Sequence, residues 1–238
     1  YPGELPQPTW AEQDIALGYE LAVASMGEAI AGAGVGEVAA IGLSVHGEAV
    51  TPVDADLRPL RPTILGMDTR TDAQNAWLRE RCGAEELFRR PGLPVHTINT
   101  LPTLLWIREQ EPEVWAAADR FLLVEDFLIG RMTGEAFTSD CLASRTQLFD
   151  LAAGTWSTEI LEAAELAPER LAEVAPSGTA VGRRAPDPTA SLGLDAPPAV
   201  VPGGHDQARG ALGVGLTEPG LAMVSSGTAE VVEVALGS

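Results

Sequence analysis

The segment that most constrains the fold is AVVPGGHDQARGALG, residues 199–213. The apolar run 199–201 predicts a strand, and the Pro-Gly-Gly after it predicts a break before a helix of small residues from Asp206 to about Val214. In open α/β sheets, ligands bind outside the carboxyl ends of strands, where the next helix offers its N-terminus. Two interpretations of Asp206 are therefore open. Its carboxylate faces a ligand, or it caps the helix, which stabilises by about 1 kcal/mol.

The N-terminal part of the chain has the same alternation of helix and strand. Residues 14–33 have apolar side chains at helical spacing, with Asp14 predicted to cap the helix and Gly34 to end it. The continuous apolar run 37–45 is typical of a strand that is covered on both faces. A helix followed by a buried strand predicts the α/β fold class with a parallel pair of strands.

Periodicity and turn residues predict the remaining elements, with the region 135–198 the least regular. In chain order they are a hairpin or a strand and turn at 49–62, a helix at 71–90, two helical segments at 101–123 split at Pro112, a helix at 124–134 ended by Gly134, a short helix at 158–165 and a hairpin at 221–234.

The charge balance narrows the classes of partner and of chemistry. The chain has 34 acidic and 15 basic residues, a formal charge of -19, which disfavours nucleic acid and anionic membranes as partners. Every basic residue apart from histidine is an arginine, and the sequence contains no lysine. This excludes a Schiff base, a Walker A lysine and the lysine of protein kinases.

Cysteine content and hydropathy bear on the compartment. Cys82 and Cys141 lack CxxC spacing, so neither a zinc site nor a disulfide framework is indicated. No stretch approaches the about 18 apolar residues of a membrane span. We therefore expect a cytoplasmic protein in a reducing environment.

Two further stretches carry candidate site residues. His46, Gly47 and Glu48 follow the strand 37–45, where polar groups can hydrogen-bond a hydroxylated ligand. The turn SSGT, residues 225–228, can present N–H groups and hydroxyls to a phosphate. Each stretch also has an interpretation without a ligand. His46 can be an ordinary core or surface histidine, and SSGT can be the tip of a hairpin. In MDTR, residues 67–70, Asp68 and Arg70 are predicted to form an internal ion pair that orders a loop.

Nine ordered blocks together resemble the N-terminal domain of the FGGY carbohydrate kinases, the group that includes xylulokinase, glycerol kinase and ribulokinase. The blocks are PTWAEQD (8–14), AAIGLSVHGEAV (39–50), DADLRPLRPTILGMDTR (54–70), LLWIREQEPEVW (104–115), EDFLIGRMTGE (125–135), TSDCLASRTQLFD (138–150), APSGTAVG (175–182), GGHDQ (203–207) and SSGT (225–228). The resemblance implies an actin-like, ribonuclease-H-like α/β fold with a mixed sheet flanked by helices. It also implies phosphorylation of a sugar, such as a pentulose or another ketose, or of a polyol, with ATP and Mg2+.

The resemblance also implies roles for individual residues. Asp206 falls on the catalytic base of the family, and no residue is assigned as a metal ligand. The other implied roles are substrate contacts at His46, Gly47, Glu48 and Gln207, and nucleotide-phosphate contacts at Gly227 and Thr228. The dipole of the helix favours the charged form of a carboxylate at its N-terminus, which makes Asp206 a weaker base. Because phosphoryl transfer runs through a loose transition state, we expect the position of this carboxylate to matter more than its basicity.

Departures from the family leave other interpretations open. Its Asp-Gly-Thr hairpin and its ATP-closing domain are not in the 238 residues, so we expect this chain alone not to turn over ATP. Thr103 stands where the family often has lysine, and SVHGEAV replaces Gln-Met-His-Gly, which leaves the sugar open. A sugar-binding sensor without kinase activity is the alternative function, and a homodimer is also left open. The blocks MDTR, ASRT and GGHDQ argue against an acetate kinase or an actin-like filament protein.

Overall fold

The computed structural model describes residues 3–183, 192–227 and 230–237. Helices and strands alternate along much of this part of the chain. The helices are α1 (Ile15–Ala33), α2 (Asp72–Cys82), α3 (Ala84–Arg89), α4 (Thr100–Gln110), α5 (Pro112–Ala117), α6 (Val124–Thr133), α7 (Asp140–Ala143), α8 (Thr158–Ala164) and α9 (Asp206–Gly213). The strands are β1 (Glu12–Gln13), β2 (Ala40–Val45), β3 (Val50–Val53), β4 (Thr63–Ile64), β5 (Arg120–Leu123), β6 (Phe137–Ser139), β7 (Phe149–Asp150), β8 (Thr155–Trp156), β9 (Glu173–Ala175), β10 (Gly182–Arg183), β11 (Ala199–His205), β12 (Ala222–Ser226) and β13 (Glu230–Val234).

The strands form several small sheets between helices. One sheet has the order β10-β11-β2, in which β11 is parallel to β2 and antiparallel to β10. A second, antiparallel sheet has the order β1-β4-β3-β5. The apolar side of α6, including Phe127 and Ile129, packs in one buried cluster with Val200 of β11 and Val53 of β3. The mixed α/β class predicted from the sequence is therefore confirmed.

Capping residues set the bounds of α1 as predicted. Asp14 Oδ1 accepts hydrogen bonds from the backbone N–H groups of Ala16 (2.9 Å) and Leu17 (3.1 Å). Gly34 ends the helix in the left-handed region, with φ of 65°. Several other predictions are also confirmed. These are the β3–β4 pairing, the division at Pro112, the end of α6 at Gly134, the short helix α8 and the β12–β13 hairpin.

Strand β2 is less covered than predicted. Its residues alternate between half-buried and exposed, with Ala40, Gly42 and Ser44 exposed. Within the described residues, β2 is the outer strand of its sheet. The continuous apolar run arises from small side chains, and periodicity alone cannot distinguish such a run from a strand covered on both faces. The prediction of coverage on both faces was therefore wrong.

Two other boundaries differ from the predictions. The helix predicted over 71–90 is divided into α2 and α3 at Gly83, whose φ of 78° interrupts the helical path. The strand predicted at 199–201 continues to His205, and its register with β2 shifts between Val201 and Gly204. A bulge tolerates the missing N–H of Pro202, so the strand does not end there.

None of the described helices combines the length and the apolar character needed to cross a membrane.

Candidate functional site

The carboxyl ends of β2 and β11 lie side by side because the two strands are parallel. Val45 pairs with His205 at the last position of the ladder. The residues that follow each strand therefore meet in one cleft of about 370 Å³. This cleft contains all the predicted substrate-side residues, which are His46, Gly47, Glu48, Asp206 and Gln207. Gln13, Met67 and Ile98 complete its walls from other segments.

Two glycines allow β11 to approach its neighbours closely before it reaches the cleft. A Cβ atom on Gly203 would lie 1.8 Å from the carbonyl oxygen of Leu43 in β2. Gly204 has φ of 130°, and its Cβ would lie 2.8 Å from Cβ of Cys141. Neither position accommodates a side chain, so the Gly-Gly pair is required by the close packing of the bulge. After the bulge, the strand ends at His205, and Asp206 follows it as the first residue of α9.

Asp206 is the first residue of α9, and the capping position itself is occupied by His205. Asp206 Oδ1 accepts a hydrogen bond from the N–H of Gln207 (2.8 Å) and lies 3.4 Å from Nε2 of His205. Its side chain is 51% exposed. The simple N-cap interpretation of Asp206 is therefore wrong. The half-exposed carboxylate can accept a hydrogen bond from a ligand hydroxyl in the cleft.

Glu48 is a nearly buried carboxylate on the other side of the cleft, only 5% exposed. Its Oε1 accepts a hydrogen bond from Nε of Arg145 and also contacts Nη2 of the same guanidinium. Its carbonyl oxygen accepts from Oγ1 of Thr100 at 2.8 Å. Burial raises the pKa of Glu48, and the adjacent charge of Arg145 opposes that rise. The contacts to Arg145 end on Oε1, so Oε2 can accept from a ligand.

The backbone of Glu48 has φ of 62°, in the left-handed region that few residues with a side chain adopt. Such conformations are costly and occur at sites where the surroundings hold the residue in place. Here the Thr100 hydrogen bond and the Arg145 ion pair hold the backbone and the side chain of Glu48 respectively.

Arg145 is the residue that reasoning from the sequence missed. It lies in the turn after α7, and its side chain is partly exposed beside Glu48. A Cβ on Gly47 would lie 3.2 Å from Nε of Arg145 and 2.8 Å from Cδ2 of His205. Gly47 thus contributes by leaving room for these two side chains. The signal in the sequence was a single cation in the block ASRT, but nothing local indicated its partner.

The two histidines of the cleft are held neutral. His46 is exposed at the cleft, but desolvation by the surrounding protein lowers its pKa, and the charge of Asp206 opposes the shift. Burial also lowers the pKa of His205, and the positive charge of Arg145 adds to this effect. Both pKa values lie below the ordinary 6.5, so both rings are neutral at pH 7. They can donate or accept hydrogen bonds without adding charge.

The predicted ion pair of Asp68 and Arg70 is confirmed, and it belongs to a larger buried cluster. Asp68 accepts from Nε of Arg70 (2.9 Å) and Nη2 of Arg70 (2.7 Å), and from the N–H of Ala11 (2.6 Å). The guanidinium of Arg70 lies over the rings of Trp10 (3.8 Å) and Trp106 (4.8 Å). This cluster fixes the loop that carries Met67 into the cleft.

The remaining predicted positions lie away from the cleft. Gly227 is exposed at the end of β12 and does not line the cleft, while Thr228 lies outside the described residues. The phosphate-binding role of this turn stays a prediction. Thr103 is buried in α4, where its hydroxyl donates to the carbonyl of Asn99 at 3.5 Å. Across the described residues, no group of three or more His, Cys, Asp or Glu side chains is placed to hold a metal ion.

Comparison with known proteins shows consistent likenesses. Residues 1–213 match the model of the FGGY family of carbohydrate kinases, N-terminal domain. A xylulose kinase of Escherichia coli (strain K12) is 33% identical over 231 residues, covering 95% of this chain and 46% of that protein. An L-fuculokinase of Salmonella typhi is 30% identical and covers 78% of this chain and 39% of that protein.

The solved structures agree. The crystal structure of xylulose kinase from Rhodospirillum rubrum matches with a TM-score of 0.90 and 28% identity, over 97% of this chain and 48% of that one. These likenesses confirm the predicted actin-like α/β fold. The chain spans about half the length of the curated relatives that it matches.

Proposed function

The chain belongs to the FGGY family of carbohydrate kinases, and we propose that it forms the sugar-binding side of an enzyme that phosphorylates a neutral ketose, such as a pentulose, or a polyol. The observation that supports this most is the meeting of Asp206, Glu48 and His46 in one cleft at the ends of two parallel strands. Such a cleft offers several acceptors at fixed positions to a ligand with several hydroxyl groups.

In the proposed reaction, Asp206 orients the hydroxyl that attacks and receives its proton. The substrate oxygen forms a bond to the γ-phosphorus of ATP as the bond to the ADP oxygen breaks. The transition state is loose in most analyses, so the proton leaves late and positioning contributes more than basicity. The half-exposed carboxylate of Asp206, at the first turn of α9, is open to the cleft for this contact.

The nucleotide is the second substrate, and we assign no metal ligand in this chain. The described residues hold no group of three acidic, histidine or cysteine side chains that would bind Mg2+. Mg2+ is expected to accompany the phosphates of ATP, where it would neutralise charge during transfer. No step is assigned to the Ser225–Thr228 turn beyond its predicted contact with phosphate.

The charges around the cleft favour a neutral substrate over an anionic one. Arg145 offsets the charge of Glu48, and His46 and His205 are neutral at pH 7. Among the residues that the structure describes, no cationic side chain lies at hydrogen-bond distance from the carboxylate of Asp206. An acid such as gluconate would place a second negative charge in the same small cleft. We therefore expect ketoses and polyols to be preferred to sugar acids.

An ATP-dependent assay tests this proposal. The intact natural polypeptide that contains these residues is incubated with ATP and xylulose, ribulose, fuculose, glycerol or gluconate, and ADP release is followed. We expect turnover with a neutral ketose or polyol and little with gluconate. Binding of sugar without ADP release would instead support the sugar-binding sensor. The 238-residue chain alone is expected to bind sugar without turnover, since its relatives are about twice as long.

A further inference from the structure

Glu125 is a fully buried carboxylate in the first turn of α6, 0% exposed, and the proposed reaction does not use it. Its Oε2 accepts a hydrogen bond from the N–H of Ser139, the last residue of β6, with a distance of 2.8 Å. Its Oε1 accepts from the N–H of Gly203, also at 2.8 Å. One carboxylate therefore joins two segments, and one of them is the bulge of β11.

The bulge needs such a partner because it departs from the ladder with β2. Its register shifts between Val201 and Gly204, and Gly203 lies inside that shift. Its N–H therefore needs an acceptor other than the ladder, and an N–H left without one inside the protein destabilises the folded chain. On its other side, Gly203 is packed against the carbonyl of Leu43 with no room for a side chain. Leu43 and Glu125 thus confine the bulge from two directions.

Only His205 and Gly204 separate Gly203 from Asp206. A shift of the bulge would therefore move the first turn of α9 and the carboxylate at its start. Misplacement of a reacting group by about 1 Å can cost roughly a hundredfold in rate. We propose that Glu125 is a positioning residue for the transfer reaction. It holds the bulge of β11 and, through it, the carboxylate of Asp206. This inference rests on the proposed function.

The neighbouring residue Asp126 shows that Glu125 is not needed to cap α6. Asp126 is also buried, 2% exposed, and its Oδ2 accepts from the N–H of Leu123 at 2.9 Å. The N–H of the capping residue of α6 therefore has its acceptor within the same helix. Asp126 has no hydrogen bond to β11 among the described residues. It is therefore a matched control, with the same burial and the same helix turn but without the link to the bulge.

The experiment compares Glu125→Gln, Glu125→Asp and Asp126→Asn in the intact natural polypeptide. Glutamine places an NH2 group opposite one of the two N–H donors, and aspartate is too short to reach both. For both Glu125 variants we expect kcat to fall by about tenfold or more, with the KM for sugar within about threefold. Hydrogen exchange of residues 199–207 should become faster. Asp126→Asn should keep kcat and the exchange of 199–207 close to wild type.

The outcomes separate the two proposals. Wild-type protein that releases no ADP with any sugar would contradict the proposed function. The exchange measurement would still test the link between Glu125 and the bulge. Unchanged exchange at 199–207 and unchanged kcat in a Glu125 variant that is folded by circular dichroism would overturn the inference. So would an equal loss of kcat in Asp126→Asn, because the effect would then follow burial rather than the link. Glu125→Asp keeps the charge, so the test remains available if the glutamine variant does not fold.

Discussion

The guanidinium of Arg145 binds the carboxylate of Glu48, which lies 97 residues earlier in the chain. This ion pair holds a buried carboxylate in a left-handed backbone conformation at the edge of the cleft. It also occupies the guanidinium of Arg145, which would otherwise be available to bind an anionic ligand in the cleft. The selectivity for neutral sugars that we propose depends on this relationship.

Replacing Arg145 by methionine should leave Glu48 buried without its cation. Removal of one partner of a buried pair is strongly destabilising, and because Arg145 is partly exposed we expect a loss of about 1–3 kcal/mol in the free energy of unfolding. The KM for sugar should rise as Glu48 loses its orientation. Urea denaturation and steady-state kinetics measure the two effects.

The exposed pair of Arg58 and Asp56 supplies the control. Their side chains are 71% and 67% exposed. Arg58→Met should therefore change the free energy of unfolding by less than about 0.5 kcal/mol. Equal losses in the free energy of unfolding for Arg58→Met and Arg145→Met would mean that the pair of Glu48 and Arg145 stabilises the fold no more than an exposed ion pair does.

Two glycines of the segment 203–210 should respond to alanine in opposite ways. In Gly203→Ala the new Cβ would lie 1.8 Å from the Leu43 carbonyl, so β11 must shift and at least about 3 kcal/mol of stability should be lost. In Gly210→Ala the Cβ meets nothing within 4 Å in the middle of α9. Alanine there should stabilise by about 0.5–1 kcal/mol. Thermal denaturation of both variants tests the prediction, and a tolerated Gly203→Ala would contradict the close packing of the bulge.

Arg70 should be among the most sensitive arginines for stability. Its side chain is 0% exposed, pairs with Asp68 and Glu12, and lies against the rings of Trp10 and Trp106. Arg70→Met would leave the buried carboxylate of Asp68 without its cation and Glu12 with Arg61 alone, so we expect a loss of about 3 kcal/mol or more. Arg89→Met is the control, because that side chain is 61% exposed and solvent screens its pairing with Glu86, so the loss of stability should be much smaller. Similar values in denaturation measurements would contradict the role given to the buried cluster.

Asp126 should make stability depend on pH. Burial raises the pKa of Asp126 from its ordinary 3.8 to about 8. Between these values the folded chain keeps a proton that the unfolded chain releases, so this group lowers stability as the pH rises from about 4 to about 8, with a slope of up to about 1.4 kcal/mol per unit. Below that window the carboxyl is protonated in both states. Asp126→Asn should therefore lose stability less steeply than wild type between pH 5 and 7, as measured by urea denaturation at about one-unit steps. Parallel slopes would show that the pKa of Asp126 is not raised.

The parts of the fold that the sequence predicted correctly depend on local signals. Asp14 and Gly34 set the ends of α1 through contacts within a few residues, and Gly134 ends α6 in the same way. The meeting of His46 with Asp206 followed from the expectation that ligand groups gather at the carboxyl ends of parallel strands. This rule of topology indicated His46, Glu48 and Asp206 as candidates, and the resemblance to the FGGY carbohydrate kinases supplied their roles and that of Gln207.

The parts that were missed depend on contacts between distant residues. Arg145 and Glu125 contact partners 97 and 78 residues away, and neither periodicity nor the sequence blocks that contain these residues indicate those partners. The coverage of β2 was predicted wrongly because small apolar residues look alike on a buried and on an open face. The strand β11 was predicted too short because a proline and two glycines usually end a strand, whereas here they form a bulge.

The proposed role of Asp206 is the central claim, and one comparison tests it directly. In the intact natural polypeptide, kcat for the preferred ketose or polyol and the dissociation constant for that sugar are measured for wild type, Asp206→Asn and the exposed control Asp56→Asn. We predict that Asp206→Asn lowers kcat by at least about a hundredfold while the dissociation constant stays within about threefold, and that Asp56→Asn changes neither. An Asp206→Asn protein that retains kcat within about threefold of wild type would contradict the claim.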